Sequence, residues 1–191
     1  MAQFKWVFPL LLFAVFLSAC GNQYDGDFSY KVQDFTFTNQ DSEKVSKSDL
    51  KGEFWVADFI FTNCTTVCPP MTSNMSSLQD QLAEAGLDDV RLISFSVDPK
   101  NDTPEALKNY AKQRDGTFEN WDLLTGYDFE TIKEFSVKSF KSAVEQLPDS
   151  DQVMHGTSFF IVTPEGNAIK NYDGRKAGNM EKIVEDIQAM K

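Results

Sequence analysis

Apolar and polar positions alternate along the chain in blocks that predict strands and helices in turn. Residues 54–61 form a nearly continuous apolar run rich in aromatic and β-branched side chains, typical of a strand buried on both faces of a sheet. A stripe of apolar residues at helical spacing follows it: Met71, Met75, Leu78 and Leu82. Residues 90–97 predict a second buried strand. The first half of the chain therefore predicts a strand, a helix and another strand.

The remainder of the chain continues this alternation. A small hairpin is predicted over residues 35–46, and the second half predicts helices over 104–112 and 129–140, a short strand over 121–126, a hairpin over 157–172 and a closing helix over 180–187. This order predicts an α/β domain with a thioredoxin-like fold. Its central, mainly parallel sheet is flanked by helices and carries an N-terminal and a C-terminal hairpin.

One polar segment interrupts the pattern before the last hairpin. Residues 142–153 are rich in acidic side chains and contain Pro148. Because this composition is typical of loops, we predict a mobile loop that carries Met154 and His155 to the next strand.

The amino-terminal residues have the features of an export signal. Lys5 precedes an apolar run over residues 6–17, about half of the ~20 residues that a membrane-spanning helix needs. The run ends in Leu17-Ser-Ala-Cys20-Gly21, which resembles the bacterial lipoprotein box; an ordinary secretory cleavage site is the alternative. We predict a signal peptide over residues 1–19, a tether over 20–29 held at the cell membrane by a lipid on Cys20, and a folded domain over 30–191 on the extracytoplasmic face.

Composition and charge narrow the class of partner. The chain has 191 residues, of which 41% are hydrophobic and 25% charged, as in an ordinary globular domain. Its formal net charge is -11. Binding to nucleic acid requires a basic surface, so we expect no nucleic acid and look instead to proteins or cations as partners.

Cys64 and Cys68 stand between the first predicted strand and the first predicted helix, separated by three residues. Pro69 and Pro70 place Cys68 at or before the first helical turn, where unpaired backbone N–H groups and the helix dipole favour a thiolate. Four positions of separation can bring the two sulfurs together for a disulfide or for one metal ion. The spacing leaves both states open.

His155 is the only histidine in the chain. In a sheet of this type the segment before the last hairpin lies beside the cysteine loop, so His155 would add one nitrogen to the two sulfurs. Thiolates select Cu(I) and imidazole adds affinity for Cu(II), so this set predicts copper in either oxidation state. A closed zinc site would need a fourth protein ligand. A hydrogen-bonded structural histidine is the alternative.

Three further side chains each have two interpretations. Met71 and Met75 offer thioethers, but their helical spacing favours packing in the core. Asp98 ends the second buried strand, and strand ends of this kind collect site residues in α/β sheets. We therefore consider two roles for Asp98: it orients His155 or tunes the thiols, or it only forms a turn before Pro99.

Three segments of the mature domain carry a joint pattern: Phe61-Thr-Asn-Cys64-Thr-Thr-Val-Cys68-Pro69, Ser96-Val-Asp98-Pro-Lys-Asn-Asp102-Thr-Pro104 and His155-Gly-Thr-Ser-Phe-Phe160. Together they resemble the Sco (SCO1/SenC) family of copper-binding thioredoxin-like proteins, and its bacterial lipoprotein members in particular. The resemblance implies that Cys64, Cys68 and His155 are copper ligands. It also implies that Asp98 belongs to the loop beside the site.

The same resemblance implies a function. The first function that the resemblance implies is that of a metallochaperone, which assembles the dinuclear copper (CuA) centre of cytochrome c oxidase subunit II. The alternative is a membrane-tethered thiol-disulfide reductase, in which Cys64 and Cys68 reduce the cysteines of the apo-oxidase. An extracytoplasmic thiol reductant must then keep the pair reduced, because that compartment oxidises exposed thiols. A peroxidase of the same fold is disfavoured, since the chain lacks a Pro-x-x-x-Thr-x-x-Cys motif.

Overall fold

A computed structural model of the protein describes residues 24–191. The predicted signal peptide, Cys20 and the first part of the predicted tether lie outside these residues. The strands are β1 Tyr30–Lys31, β2 Thr36–Thr38, β3 Lys44–Ser46, β4 Trp55–Ile60, β5 Arg91–Ser96, β6 Trp121–Leu124, β7 Val144–Gln146, β8 Val153–His155, β9 Ser158–Val162 and β10 Asn167–Asp173. The α-helices are α1 Cys68–Glu84, α2 Pro104–Lys112, α3 Phe129–Phe140 and α4 Gly178–Met190. Within residues 24–191, no helix combines the length and the apolar character needed to cross a membrane.

A six-stranded sheet in the order β1-β10-β9-β4-β5-β6 forms the centre of the domain. Strands β4, β5 and β6 are parallel, whereas β9, β10 and β1 pair in antiparallel fashion. The sheet, its four helices and the hairpins β2–β3 and β9–β10 confirm the predicted α/β, thioredoxin-like fold class. The three parallel strands are those that helical crossovers connect. Strands β9 and β10 are joined by a short turn, which allows only antiparallel pairing.

Aromatic rings fill the space on one face of the sheet. Phe59 of β4 and Phe95 of β5 stack with ring centroids 5.6 Å apart, and both touch Phe140 of α3. Phe35 contributes from the segment before β2 and also contacts Phe95. Since side chains alternate along a strand, Asp58 points to the opposite face. Each apolar side chain of β4 is fully or almost fully buried, which explains its continuous apolar sequence.

The prediction of a continuous loop over residues 142–153 is wrong, because only residues 147–152 connect two short strands. Strands β7 and β8 form a second hairpin, in which Val144 pairs with His155 and Gln146 pairs with Val153. Val144 and Val153 are buried, while Glu145 and Met154 face outward. The sequence did not reveal these strands, because each has only three residues and its alternation of buried and exposed positions is too short to detect among acidic residues.

The first described residues contact the folded domain at the beginning of β4. The Tyr24 ring meets the Phe54 ring edge-on with centroids 5.0 Å apart, and the Phe28 amide donates to the Ile169 carbonyl. Residues 24–29, the described part of the predicted tether, therefore enter the domain at the end of β4 that is farthest from the cysteines.

Candidate metal centre

The cysteine loop occupies the connection between β4 and α1. Cys68 is the first residue of α1, and Pro69 and Pro70 fill the first helical positions, where a missing N–H costs no hydrogen bond. Cys64 lies in the loop and receives a hydrogen bond from the Cys68 amide, with a nitrogen to sulfur distance of 3.4 Å. Both thiols are free and buried, with 6% of Cys64 and 0% of Cys68 exposed. The predicted placement of the pair at the helix start is confirmed.

The two sulfurs have opposite tendencies to ionise. Burial acts to raise the pKa of Cys64, but hydrogen bonds from His155, the Cys68 thiol and the amides of Cys68 and Thr66 outweigh it and lower that pKa to about 5. Burial raises the pKa of Cys68 well above its usual range, and the neighbouring Cys64 thiolate adds to the effect. Near neutral pH the pair therefore holds one negative charge, on Cys64, and one proton, on Cys68.

His155 is the last residue of β8, and its ring faces the cysteines. Its Nδ1–H donates to the Gly156 carbonyl at 2.8 Å, so the neutral imidazole has its lone pair on Nε2, whereas the imidazolium donates from Nε2 to a cysteine sulfur. Nε2 lies 3.3 Å from the Cys68 sulfur, so the Cys68 thiol can donate to it. The Phe61 ring supports the imidazole edge-on, with centroids 5.7 Å apart. The structure thus brings the three side chains named from the sequence into one place.

These atoms suit a soft metal ion chemically. In a tetrahedral site, an ion bound at ~2.3 Å to sulfur and ~2.0 Å to nitrogen holds the two atoms ~3.5 Å apart, close to the observed Cys68 to His155 distance. Two sulfurs and one imidazole nitrogen are the donor set that Cu(I) and Cu(II) share. Within residues 24–191, no group of three or more His, Cys, Asp or Glu side chains already has the arrangement of a complete metal site.

The hairpin that carries His155 is fastened to the cysteine loop at Asn63. The Asn63 side-chain amide donates to Asp151 at 2.7 Å, and the Gln152 side-chain amide donates to the Asn63 carbonyl at 3.2 Å. Both bonds are exposed to solvent, where each contributes modestly. They connect the residue before Cys64 to the turn between β7 and β8, so they help to hold His155 over the sulfurs.

Asp98 lies in the turn between β5 and α2. Its carboxylate receives two hydrogen bonds from the Asn101 side chain, at 3.0 and 2.8 Å, and among the described residues it has no hydrogen bond to Cys64, Cys68 or His155. The predicted role in orienting the ligands stays a prediction. Asp98 also lines a cavity of about 550 Å³ together with Asp151 of the β7–β8 turn.

Met71 and Met75 are fully buried on the inner side of α1. Their position confirms the interpretation that they pack in the core.

The sequence analysis did not identify Asp58 as a functional residue. It is fully buried in the middle of β4, and neither carboxylate oxygen has a hydrogen-bond partner among the described residues. Burial raises the pKa of Asp58 to about 7, and the nearby Ser94 hydroxyl and the charge of His155 offset only part of the increase. The Asp58 charge also contributes to the raised pKa of Cys68. The sequence did contain a signal for this residue, because Asp58 is the one ionisable side chain inside the apolar run of residues 54–61.

The fold and this set of side chains define a thioredoxin-like protein with two thiols and an imidazole at the end of its central strand. The model of the SCO1/SenC family matches residues 25–191, almost the whole of the described chain. The protein belongs to the SCO1/SenC family.

Three solved structures indicate what this chain is similar to. A SCO1/SenC family lipoprotein from Bacillus anthracis is 44% identical, with a TM-score of 0.82 over 87% of this chain and 99% of its own. BsSco, a member of the Sco family of cytochrome c oxidase assembly proteins, is 48% identical, with a TM-score of 0.79 over 87% and 96% of the two chains. ScoI of Arabidopsis thaliana, solved with copper bound, is 25% identical, with a TM-score of 0.70 over 82% and 98%.

Asp58→Asn should raise stability near pH 8 and lose this advantage as the pH falls. The pKa of Asp58 is about 7 in the folded protein, whereas the ordinary value of 3.8 applies to the unfolded chain. Between pH 3.8 and pH 7, Asp58 is therefore protonated in the folded state and ionised in the unfolded state. Wild-type stability then falls as pH rises through this window, by ~1.4 kcal/mol per pH unit for one group. We expect the variant's advantage, measured by urea unfolding, to shrink by on the order of 2–3 kcal/mol from pH 8 to pH 5.

Asp122→Asn is the matched control, because Asp122 is also buried but is paired with Asn39 and Arg91. It should lower stability without reproducing that pH profile. A stability difference between Asp58→Asn and wild type that stays constant from pH 5 to pH 8 would contradict the assignment.

Proposed function

We propose that this protein is a copper metallochaperone for the CuA centre of cytochrome c oxidase subunit II, with Cys64, Cys68 and His155 as the ligands of the transferred ion. The observation that carries the proposal is the 3.3 Å contact between Cys68 Sγ and His155 Nε2, with Cys64 Sγ 3.4 Å from the Cys68 amide. The copper bound to the Arabidopsis relative and the oxidase assembly role of BsSco support it.

The ionisation of the site favours capture of a cation. The Cys64 thiolate supplies the first negative ligand without losing a proton, because its pKa is lowered to about 5. The Nε2 lone pair of His155 is available as soon as the Cys68 thiol gives up its proton. Three protein ligands leave a coordination position open, and a partner's ligand can enter there and take the ion away.

We also propose that the domain is held at the extracytoplasmic face of the cell membrane by a lipid on Cys20. The Leu17-Ser-Ala-Cys20-Gly21 segment supports this, as does the lipoprotein nature of the similar protein from Bacillus anthracis. An anchor keeps the protein near an oxidase subunit in the same membrane, which raises the effective concentration of the two partners.

The second candidate function is reduction of a disulfide in the apo-oxidase, and the unequal thiols favour it. The Cys64 thiolate attacks one sulfur of the substrate disulfide, and the released partner thiolate takes a proton from water. Cys68 then loses its proton to solvent and attacks the Cys64 sulfur, so a Cys64–Cys68 disulfide forms and the second partner thiolate leaves. Two electrons pass to the substrate. An extracytoplasmic thiol reductant must restore the pair.

His155→Ala should weaken Cu(II) binding more than about 100-fold, since loss of a residue that merely orients a ligand already costs 10–100-fold. The measurement is a competitive copper titration of the reduced full chain in detergent, followed by absorption and electron paramagnetic resonance. Oxidase activity in a strain that lacks the protein should be lost in parallel.

Met154→Ala is the matched control, because this neighbour in β8 is 51% exposed and points away from the sulfurs. It should bind copper as the wild type does. A folded His155→Ala variant that retains Cu(II) and restores oxidase activity would remove the support for the chaperone function.

For the reductase, Cys68→Ser should trap a mixed disulfide between Cys64 and an oxidised subunit II peptide in the absence of copper. Cys64→Ser should trap little, because the remaining thiol keeps its proton and lies deeper. Mass spectrometry of the adducts measures both. If neither the wild type nor the variants exchange with the peptide, the reductase function is excluded for this substrate.

Labelled fatty acid should be incorporated into the full chain in growing cells, and Cys20→Ser should abolish the labelling because it removes the acceptor thiol. Labelled protein is measured after electrophoresis of the membrane fraction. Label that persists in Cys20→Ser would show that the lipid is attached elsewhere.

A further inference from the structure

Asp102 is a fully buried carboxylate beside the start of the cysteine loop. It receives the Thr62 amide at 3.1 Å on one oxygen and 3.3 Å on the other, and the Thr62 hydroxyl at 2.6 Å. The Ser96 hydroxyl donates to it at 2.6 Å. Every donor is neutral, and these hydrogen bonds favour the charged carboxylate, although burial outweighs them and raises the pKa of Asp102.

The backbone of Asp102 is fixed as well. Its amide donates to the Asp98 carbonyl at 2.9 Å, and its carbonyl receives the Thr125 hydroxyl at 2.8 Å. Thr62 follows β4, Ser96 ends β5 and Thr125 follows β6. One residue therefore ties together the carboxyl ends of the three parallel strands, and it occupies a rigid position from which to hold Thr62.

Thr62 lies two residues before Cys64. The Cys64 amide donates to the Phe61 carbonyl at 3.4 Å, which closes a turn around Thr62. The Phe61 ring contacts His155 on the other side. A displacement of Thr62 would therefore move the Cys64 sulfur relative to the Cys68 amide, and would also move the ring that supports the imidazole.

We propose that Asp102 is the positioning residue of the metal centre, and that it acts through Thr62 to hold Cys64 against Cys68 and His155. This proposal rests on the copper-binding function proposed above. Its role differs from that of Asp98, whose carboxylate is directed to Asn101 in the same turn. Asp102 places the ligands and does not itself bind the ion.

The contacts of Asp102 allow its positioning role to be separated from its structural role. Thr62→Val removes only the hydroxyl bond from the cysteine loop to Asp102, whereas Ser96→Ala removes the Ser96 bond to Asp102 and the bond that Ser96 accepts from the Asp98 amide, and it leaves Thr62 in place. Thr62→Ser keeps the hydroxyl. Each full-length variant is titrated with copper against a competing chelator, and its unfolding free energy is measured in urea. Asp102→Ala removes every side-chain bond of Asp102, and the Thr62 and Ser96 variants keep the test valid if this variant does not fold.

We expect Thr62→Val to lose about tenfold or more in Cu(II) affinity, Thr62→Ser to restore it, and Ser96→Ala to bind like the wild type even if it is less stable. A copper-free measurement is the ultraviolet absorbance of the Cys64 thiolate, whose titration midpoint should rise in Thr62→Val and in Asp102→Ala but not in Thr62→Ser or Ser96→Ala. Equal losses in Thr62→Val and Ser96→Ala, or a wild-type affinity and midpoint in Thr62→Val, would overturn the proposal. Failure of the wild type to bind copper, with the midpoint shift still present, would overturn the copper function and leave the positioning role intact.

Discussion

The hydrogen bond from the Cys68 amide to the Cys64 sulfur is the interaction on which the chemistry of this protein depends. It exists because α1 begins at Cys68, so that this amide has no carbonyl partner in the helix. Together with the hydrogen bonds from His155, the Cys68 thiol and the Thr66 amide, this bond favours negative charge on Cys64, which in turn makes a second charge on Cys68 unfavourable. Both proposed activities, binding of a cation and attack on a disulfide, would begin from this unequal state.

The same two sulfurs cannot serve both functions at once. A disulfide between Cys64 and Cys68 would consume both thiolates and leave His155 as the only remaining donor of the set. A bound ion would occupy the lone pair of Cys64 and block its attack on another sulfur. Both proposed functions would therefore start from the reduced pair, and a bound ion would exclude disulfide reduction until it is released.

The sequence was most informative where structure is determined locally. The apolar run over β4, the stripe of α1 and the proline pair at its start each follow from neighbouring residues, so the fold class and the place of Cys64 and Cys68 could be predicted. The β7–β8 hairpin could not, because the pairing of Val144 with His155 decides it and each strand is three residues long. Asp102 and Asp58 were missed for a related reason. The importance of Asp102 depends on its hydrogen bonds to Thr62, which is distant in sequence, and that of Asp58 depends on the absence of any hydrogen-bond partner among the described residues.

The contact of Tyr24 with Phe54 has a consequence for the orientation of the molecule. Phe54 precedes β4 and the cysteine loop follows it, so the six residues of that strand separate them by roughly 20 Å. Four residues from Cys20 to Tyr24 reach at most ~14 Å even when fully extended. With a lipid on Cys20, the base of the sheet would rest near the bilayer and the sulfurs would point away from it. A recipient site would then have to project well above the membrane surface to meet them.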